Sequence, residues 1–354
     1  MIERNLYSLA EIDQKFPRAR WARSTCTYAP GRIGRRTAIF ANAWTSHDAQ
    51  LILPSVISVV VPAHNEAAVI GRLLARLVPD SASNGVDTEG GEGLEPLETI
   101  VVANGCTDQT AQVAAEYAAV QVITSPEPNK HRALRLGDSH ARAFPRLYVD
   151  ADVELRAQDV RALAKALDDP GILAAAPARD TPLDGCPWTV RWYYEIWEQL
   201  PVVRQGLFGR GVIALSAEGH ARIADLPELM GDDLAASLSF APEERRVVDT
   251  ARVTVHPPRT FSDLLRRRVR SMTVTTQAAT QTKLPGTRTT SADLKALLRE
   301  HPARNAPRLA WFVTVTAMAR SRARRAVNAG DFTTWLRDES SRAAAQDSSK
   351  DRQS

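Results

Sequence analysis

Val56-Ile-Ser-Val-Val-Val61-Pro-Ala-His-Asn-Glu66 decides the fold. Its first six residues are a dense run of apolar β-formers, read as a buried strand that Pro62 stops. Directly afterwards Val69, Ile70, Leu73, Leu74, Leu77 and Val78 recur at the spacing of one apolar helical stripe. Further along come a strand at 99–102, a helix through 109–119, a short strand at 120–124, a helix around 131–143 and a strand at 146–149. Alternation at this pace predicts an α/β fold with a mostly parallel central sheet flanked by helices. Ligands of such sheets sit outside the carboxyl ends of the strands, so the residues just after each apolar run carry the functional information.

Composition narrows the class. The chain has 354 residues, 44% hydrophobic and 24% charged, the profile of a folded protein rather than a disordered one. Cys26, Cys106 and Cys186 are too few and too scattered for a disulfide scaffold or a cysteine-rich zinc module, and they suit a reducing compartment. Met1 is followed by Glu3 and Arg4 with no apolar core, so no signal peptide is visible. The apolar run 309–319 is too short to span a bilayer, which takes about 20 residues. These features predict a cytoplasmic protein.

The net charge of +4 hides a division: 266–325 holds fourteen basic and two acidic residues, leaving −8 on the remainder. Arg320, Arg322, Arg324 and Arg325 follow the apolar run, which reads either as a packed helix with a solvated basic end or as a peripheral contact with the inner face of the cell membrane. Four segments are expected: an N-terminal extension (1–53), a catalytic domain (54–275) with a flexible acidic insertion at 80–96, a basic helical arm (276–336) and a disordered tail (337–354).

Three strand ends offer acidic or amide side chains: Pro62-Ala-His-Asn-Glu66, Ala103-Asn-Gly-Cys-Thr-Asp108 and Asp150-Ala-Asp152. Asn65 and Asp108 precede helices and also fit plain capping. In Asp150-Ala-Asp152 the two carboxylates of an extended segment point the same way and repel each other unless a cation lies near. Magnesium or manganese, held by one or two carboxylates plus substrate phosphates, is the usual answer. His256, after another strand-like run, is either an added ligand or structural. Among Trp188, Trp192, Tyr193, Tyr194 and Trp197, Trp188–Trp192 and Tyr193–Trp197 are i, i+4 pairs on one helix, and the cluster is read as burial against the sheet or as an acceptor surface.

Together these motifs resemble the family 2 nucleotide-sugar glycosyltransferases of GT-A fold, in their non-processive bacterial form, over 56–270. Pro62, His64 and Glu66 lie in a stretch similar to that family's P-x-x-N-E signature, and Asn104 through Asp108 to its D-G-S-T-D turn. Lys130 resembles the lysine before the metal motif, and Asp150-Ala-Asp152 the D-x-D itself. The resemblance implies Asp150 by the nucleotide and Asp152 on the metal. Gly231-Asp-Asp-Leu234 is similar to the G-E-D motif, which implies Asp233 as general base with Asp232 beside it. Arg267 and Arg270 fall on Q-x-x-R-W, whose tryptophan is replaced here by Ser271, and would hold the diphosphate. Gly209, Arg210 and Trp192 are expected near the acceptor.

What the resemblance implies is inverting transfer of a sugar from a UDP- or GDP-sugar to a hydroxyl acceptor (a glycan, a lipid-linked or a small molecule), with Mn2+ or Mg2+, in polysaccharide or glycolipid biosynthesis. The alternatives are a catalytically weak regulatory subunit that binds nucleotide sugar and a sugar nucleotidyltransferase, though the glycine- and arginine-rich phosphate loop of the latter is missing. A dehydrogenase would need G-x-G-x-x-G after the first strand, and nucleic-acid binding has no recognisable module.

Overall fold

The computed structural model describes residues 56–78, 97–224, 236–281, 289–329 and 340–341. The expected extension at 1–53, the acidic insertion at 80–96 and nearly all of the tail lie outside the described residues.

Eight strands form one sheet in the order β3-β2-β1-β4-β7-β6-β8-β5. They are β1 Ile57–Ala63, β2 Leu97–Asn104, β3 Val120–Ser125, β4 Arg146–Val149, β5 Val153–Leu155, β6 Ala174–Asp180, β7 Val212–Leu215 and β8 Arg245–Val255. Four of the seven pairings are parallel: β1 with β2 and β4, β2 with β3, and β6 with β8. β7 runs against β4 and β6, and β5 against β8, so the sheet is mixed.

Side chains alternate across it as extended backbone requires. Ile57, Val59 and Val61 pack with Ile70, Leu73 and Leu74 of α1 (Ile70–Leu77), as the apolar stripe predicts. The opposite face takes Ile100 and Val102 onto Ala133 of α3 (Lys130–His140). Pro62 does not stop β1: it sits inside the strand opposite Val102. β4 pairs β1 only over Ser58, Val59 and Val60, so the proline meets an open ladder on that side.

Gly137 lets α3 settle onto the sheet, because a Cβ there would run into Val60 Cγ1 and lie 3.3 Å from Val102 Cγ2. In a free helix alanine would be favoured by about 1 kcal/mol, but overpacking a core costs about 1–3 kcal/mol. The net cost is about 0–2 kcal/mol, so Gly137→Ala is expected to lower Tm by up to a few degrees in a thermal melt. A rise in Tm would mean that α3 lifts off the sheet at no cost.

A second, helical layer completes the described chain. It holds α5 (Trp188–Trp197), α6 (Pro201–Gln205), α8 (Phe261–Gln281), α9 (Ser291–Glu300) and α10 (Pro302–Asn328). Its core joins Tyr193, Tyr194 and Ile196 of α5 to Leu264, Leu297, Phe312 and Val315. Tyr193 stacks on Phe312 at 5.0 Å, and Trp311 Nε1 donates to Thr189 O at 2.7 Å. Of the aromatic cluster, Tyr193 and Tyr194 are thus buried against α10 and α8 rather than against the sheet, while Trp188 stays exposed. Helix α8 also runs straight through residue 275, where the catalytic domain was expected to end.

Candidate active site

Topology collects the functional residues at one edge. β1, β2, β4, β6 and β8 all point their carboxyl ends the same way, and the antiparallel β5 and β7 begin there. His64–Glu66, Gly105–Asp108, Asp150–Asp152, Gly209–Gly211 and His256 therefore share the edge at which such sheets bind ligands.

The loops after β1 and β2 are laced together. Asn65 adopts φ 53°, a left-handed conformation that asparagine tolerates, and its Oδ1 accepts from Thr107 N at 2.7 Å. Glu66 N donates to Thr110 Oγ1 at 2.8 Å. Asp108 accepts from Ala67 N through Oδ2 and from Thr110 N through Oδ1, each at 3.0 Å. It thereby closes the start of α2 (Thr110–Ala115) and ties down the opposite loop in one gesture. His64 Nδ1 lies 2.7 Å from Asn104 O. Asn104 itself is buried, and its Nδ2 donates to Ala63 O at 2.8 Å, which joins β2 to β1.

At the next strand end Lys130 Nζ donates to Asp150 Oδ1 at 2.7 Å, with both side chains about one-third exposed (34% and 39%). Asp150 N donates to Gly211 O at 2.7 Å. Gly211, at φ 65°, gives the carboxylate room: a Cβ there would lie 3.2 Å from Asp150 Oδ2 and 2.6 Å from Val153 Cγ1. Asp152 sits half-buried in the turn that leads into β5.

His256 reaches the same edge from β8, but its Nε2 lies 2.6 Å from Glu154 Oε1. Arg76 approaches the other oxygen of Glu154 at 2.8 Å. The His256 hydrogen bond holds the Glu154 carboxyl below the usual carboxylate range against the opposing effect of burial, and Arg76 adds to the lowering. Glu154 was missed in the sequence, although Asp150, Asp152 and Glu154 alternate at i, i+2, i+4. Arg267 Nη1 donates to His256 O at 3.0 Å, which brings α8 to this edge, with Arg270 half-buried one turn further on.

Two expected acceptor residues are otherwise engaged. Arg210 is buried, and its guanidinium donates to the carbonyls of Gly206, Pro177, Val203 and Arg204 at 2.9–3.1 Å. Burial, helped by the nearby Arg179 charge, pushes its pKa down to about 10, so it stays protonated as an internal strut. Trp192 packs edge-on to Trp188 at 5.0 Å with Arg308 of α10 above it at 5.3 Å. It belongs to the contact between α5 and α10. Gly209 keeps its place near the edge at φ 69°, its carbonyl accepting from Arg179 Nη1 at 3.1 Å. Asp232 and Asp233 lie outside the described residues.

Residues 58–207 match the model of "Glycosyl transferase family 2", a segment that contains the laced loops, Lys130, Asp150 and Asp152 and ends before Asp233, His256 and Arg267. Over 108 residues the chain is 31% identical to 4,4'-diaponeurosporenoate glycosyltransferase of Staphylococcus aureus (strain USA300), covering 29% of this chain. The chain spans about a quarter of the length of that curated relative (25%). Among solved structures, mannosyltransferase PcManGT of Pyrobaculum calidifontis, in complex with GDP-Man and Mn2+, is 20% identical over 82% of this chain and 85% of its own, with a TM-score of 0.49. Glucosyl-3-phosphoglycerate synthase of Mycobacterium tuberculosis, with Mn2+, UDP-Glc and phosphoglyceric acid, is 21% identical over 66% of this chain and 81% of its own, with a TM-score of 0.45. The likeness to glycosyl transferase family 2 thus rests on residues 58–207 of the 354.

Proposed function

We propose that this chain transfers a sugar from a nucleoside-diphosphate sugar to a hydroxyl acceptor by single displacement, with inversion at the anomeric carbon and with a divalent cation. The observation that carries the reading is the gathering of the laced loops, the Lys130–Asp150 pair and Asp152 at one sheet edge, inside the segment that matches the family.

The donor set fits Mn2+ or Mg2+. Its oxygens are hard carboxylates, and among the described residues no three histidine, cysteine, aspartate or glutamate side chains group to hold a metal unaided. A cation held by one or two carboxylates and completed by substrate phosphates needs no more. The D-x-D resemblance makes Asp152 the principal protein ligand, with Asp150 beside it held by Lys130. Bound there, the cation supplies Lewis-acid neutralisation of the departing diphosphate.

The chain's own residues do the rest. Lys130, Arg267 and Arg270 offer further charge-assisted hydrogen bonds to phosphate. Glu66 and the rim of the laced loops take the nucleoside. Asp233 accepts the proton of the attacking hydroxyl, with Asp232 beside it. One base, with no nucleophile assigned to the opposite face of the sugar, is what single displacement requires. The acceptor is a glycan, a lipid-linked or a small molecule.

The test is thermal unfolding with UDP-, GDP- and dTDP-sugars, in Mn2+ and in EDTA. A ligand at 100-fold its Kd stabilises the native state by about 2.7 kcal/mol, which moves Tm by several degrees. One base class should raise Tm in Mn2+ and lose most of the shift in EDTA. No shift with any donor, or a shift indifferent to EDTA, would sink the proposal.

A further inference from the structure

Helix α10 turns Phe312, Val315, Ala319 and Ala323 into the helical layer. The opposite face, which carries Ala306, Ala310, Val313, Thr314, Ala317 and Met318, is exposed and bears no charge, and the Thr314 hydroxyl is satisfied by Ala310 O at 2.9 Å. The described residues expose four large hydrophobic side chains, and two of them, Val313 (46%) and Met318 (36%), are on this face. A third, Trp188 (50%), stands beside the same helix with its ring 5.1 Å from that of Trp311.

The helix carries no acidic residue along Pro302–Asn328. Where the uncharged face ends, Arg320, Arg322, Arg324 and Arg325 begin, all exposed and, among the described residues, without a side-chain hydrogen bond or ion pair. A helix face meant only for water mixes both signs of charge. An uncharged, largely apolar face flanked by tryptophan and continued by exposed arginines suits the boundary of an anionic bilayer, where apolar burial and attraction to lipid headgroups add. No described helix is long and apolar enough to cross a membrane, so α10 would lie along the surface.

We propose that the outer face of α10, together with Trp188, docks this protein on an anionic lipid bilayer, with the four arginines on its headgroups. Helix α8 connects that surface to the sheet edge. Its Leu265 and Val269 pack on Ala319 and Ala323 of α10, while its Arg267 holds the carbonyl of His256. An acceptor presented from the bilayer would meet the edge one helix away. Docking itself does not depend on the proposed reaction, since it is measured without donor.

The experiment is co-sedimentation of the full chain with phosphatidylcholine vesicles, with and without phosphatidylglycerol. Wild-type protein should sediment only with phosphatidylglycerol present, and less so at high salt. Changing all four arginines to glutamine should weaken partitioning by about fivefold per residue, on the order of several hundred-fold together. Val313→Asp should weaken it separately, and unchanged circular dichroism and Tm would show these surface variants folded. Wild-type protein that stays in the supernatant, or a quadruple variant that sediments like wild type, overturns the proposal. A lipid-free dimer that Val313→Asp converts to monomer would give the face to a second copy and overturn it equally.

Discussion

Asp233→Asn is expected to remove nearly all sugar transfer while leaving donor affinity almost unchanged. The attacking hydroxyl has a pKa far above neutrality, so transfer needs a group to take its proton as the new bond forms. General-base assistance of this kind contributes about 10²–10⁴-fold in rate. Asparagine keeps the size and hydrogen-bonding reach of aspartate but cannot accept that proton. The loss should therefore fall on kcat, with the Kd for donor, measured by calorimetry in Mn2+, within about threefold of wild type. Asp232→Asn is the control: its loss should be clearly smaller. Near-wild-type turnover in Asp233→Asn would move the base elsewhere, and a collapse of donor affinity would make Asp233 a binding residue.

Asp152→Ala should do the converse and abolish the metal-dependent part of donor binding. A neighbouring carboxylate can sometimes take over a lost ligand, but the geometry leaves little scope here. Asp150 gives Oδ1 to Lys130, and Glu154 is held between His256 and Arg76. Lewis-acid stabilisation of a leaving diphosphate is worth several kcal/mol, so turnover should fall by at least about 10³-fold. In thermal melts the variant should show equal, small donor shifts in Mn2+ and in EDTA. A Mn2+-dependent donor shift of wild-type size in Asp152→Ala would refute the assignment. Substituting Asp152 removes a half-exposed side chain, so the melting temperature without ligand should hardly move.

The sheet was legible in the sequence because its signal is local. The apolar run at 56–61 and the stripe from Val69 to Val78 each lie within a few turns of chain, and they became β1 and α1. Strand ends were legible for the same reason, since parallel topology guarantees that residues after β1, β2 and β4 share an edge. What escaped depends on partners distant in sequence. Arg210 reads as a charged residue between two flexible glycines, and only the fold reveals four carbonyls closing around its guanidinium. The tryptophans of α5 carry an unmistakable i, i+4 spacing, but nothing local tells a helix whether its stripe will meet a sheet or another helix more than a hundred residues later. Asp108 shows a third limit, because capping and ligand contact call for the same residue type, and only the fold reveals that its carboxylate also reaches Ala67 N across the edge.

The lacing between Asn65, Glu66, Thr107, Asp108 and Thr110 has a consequence for the kinetics of donor capture. Two surface loops left separate would each sample many conformations, and a ligand would have to freeze both at a cost of about 1–2 kcal/mol per residue. Here that loss of freedom is borne when the chain folds, not when the nucleotide arrives. The nucleoside end of the edge should thus behave as a rigid die, with an association rate governed by diffusion and charge rather than by loop closure. The same stiffness makes it unforgiving: trimming one member of the lacing would loosen both loops together, so paired substitutions across them should fall well short of additive.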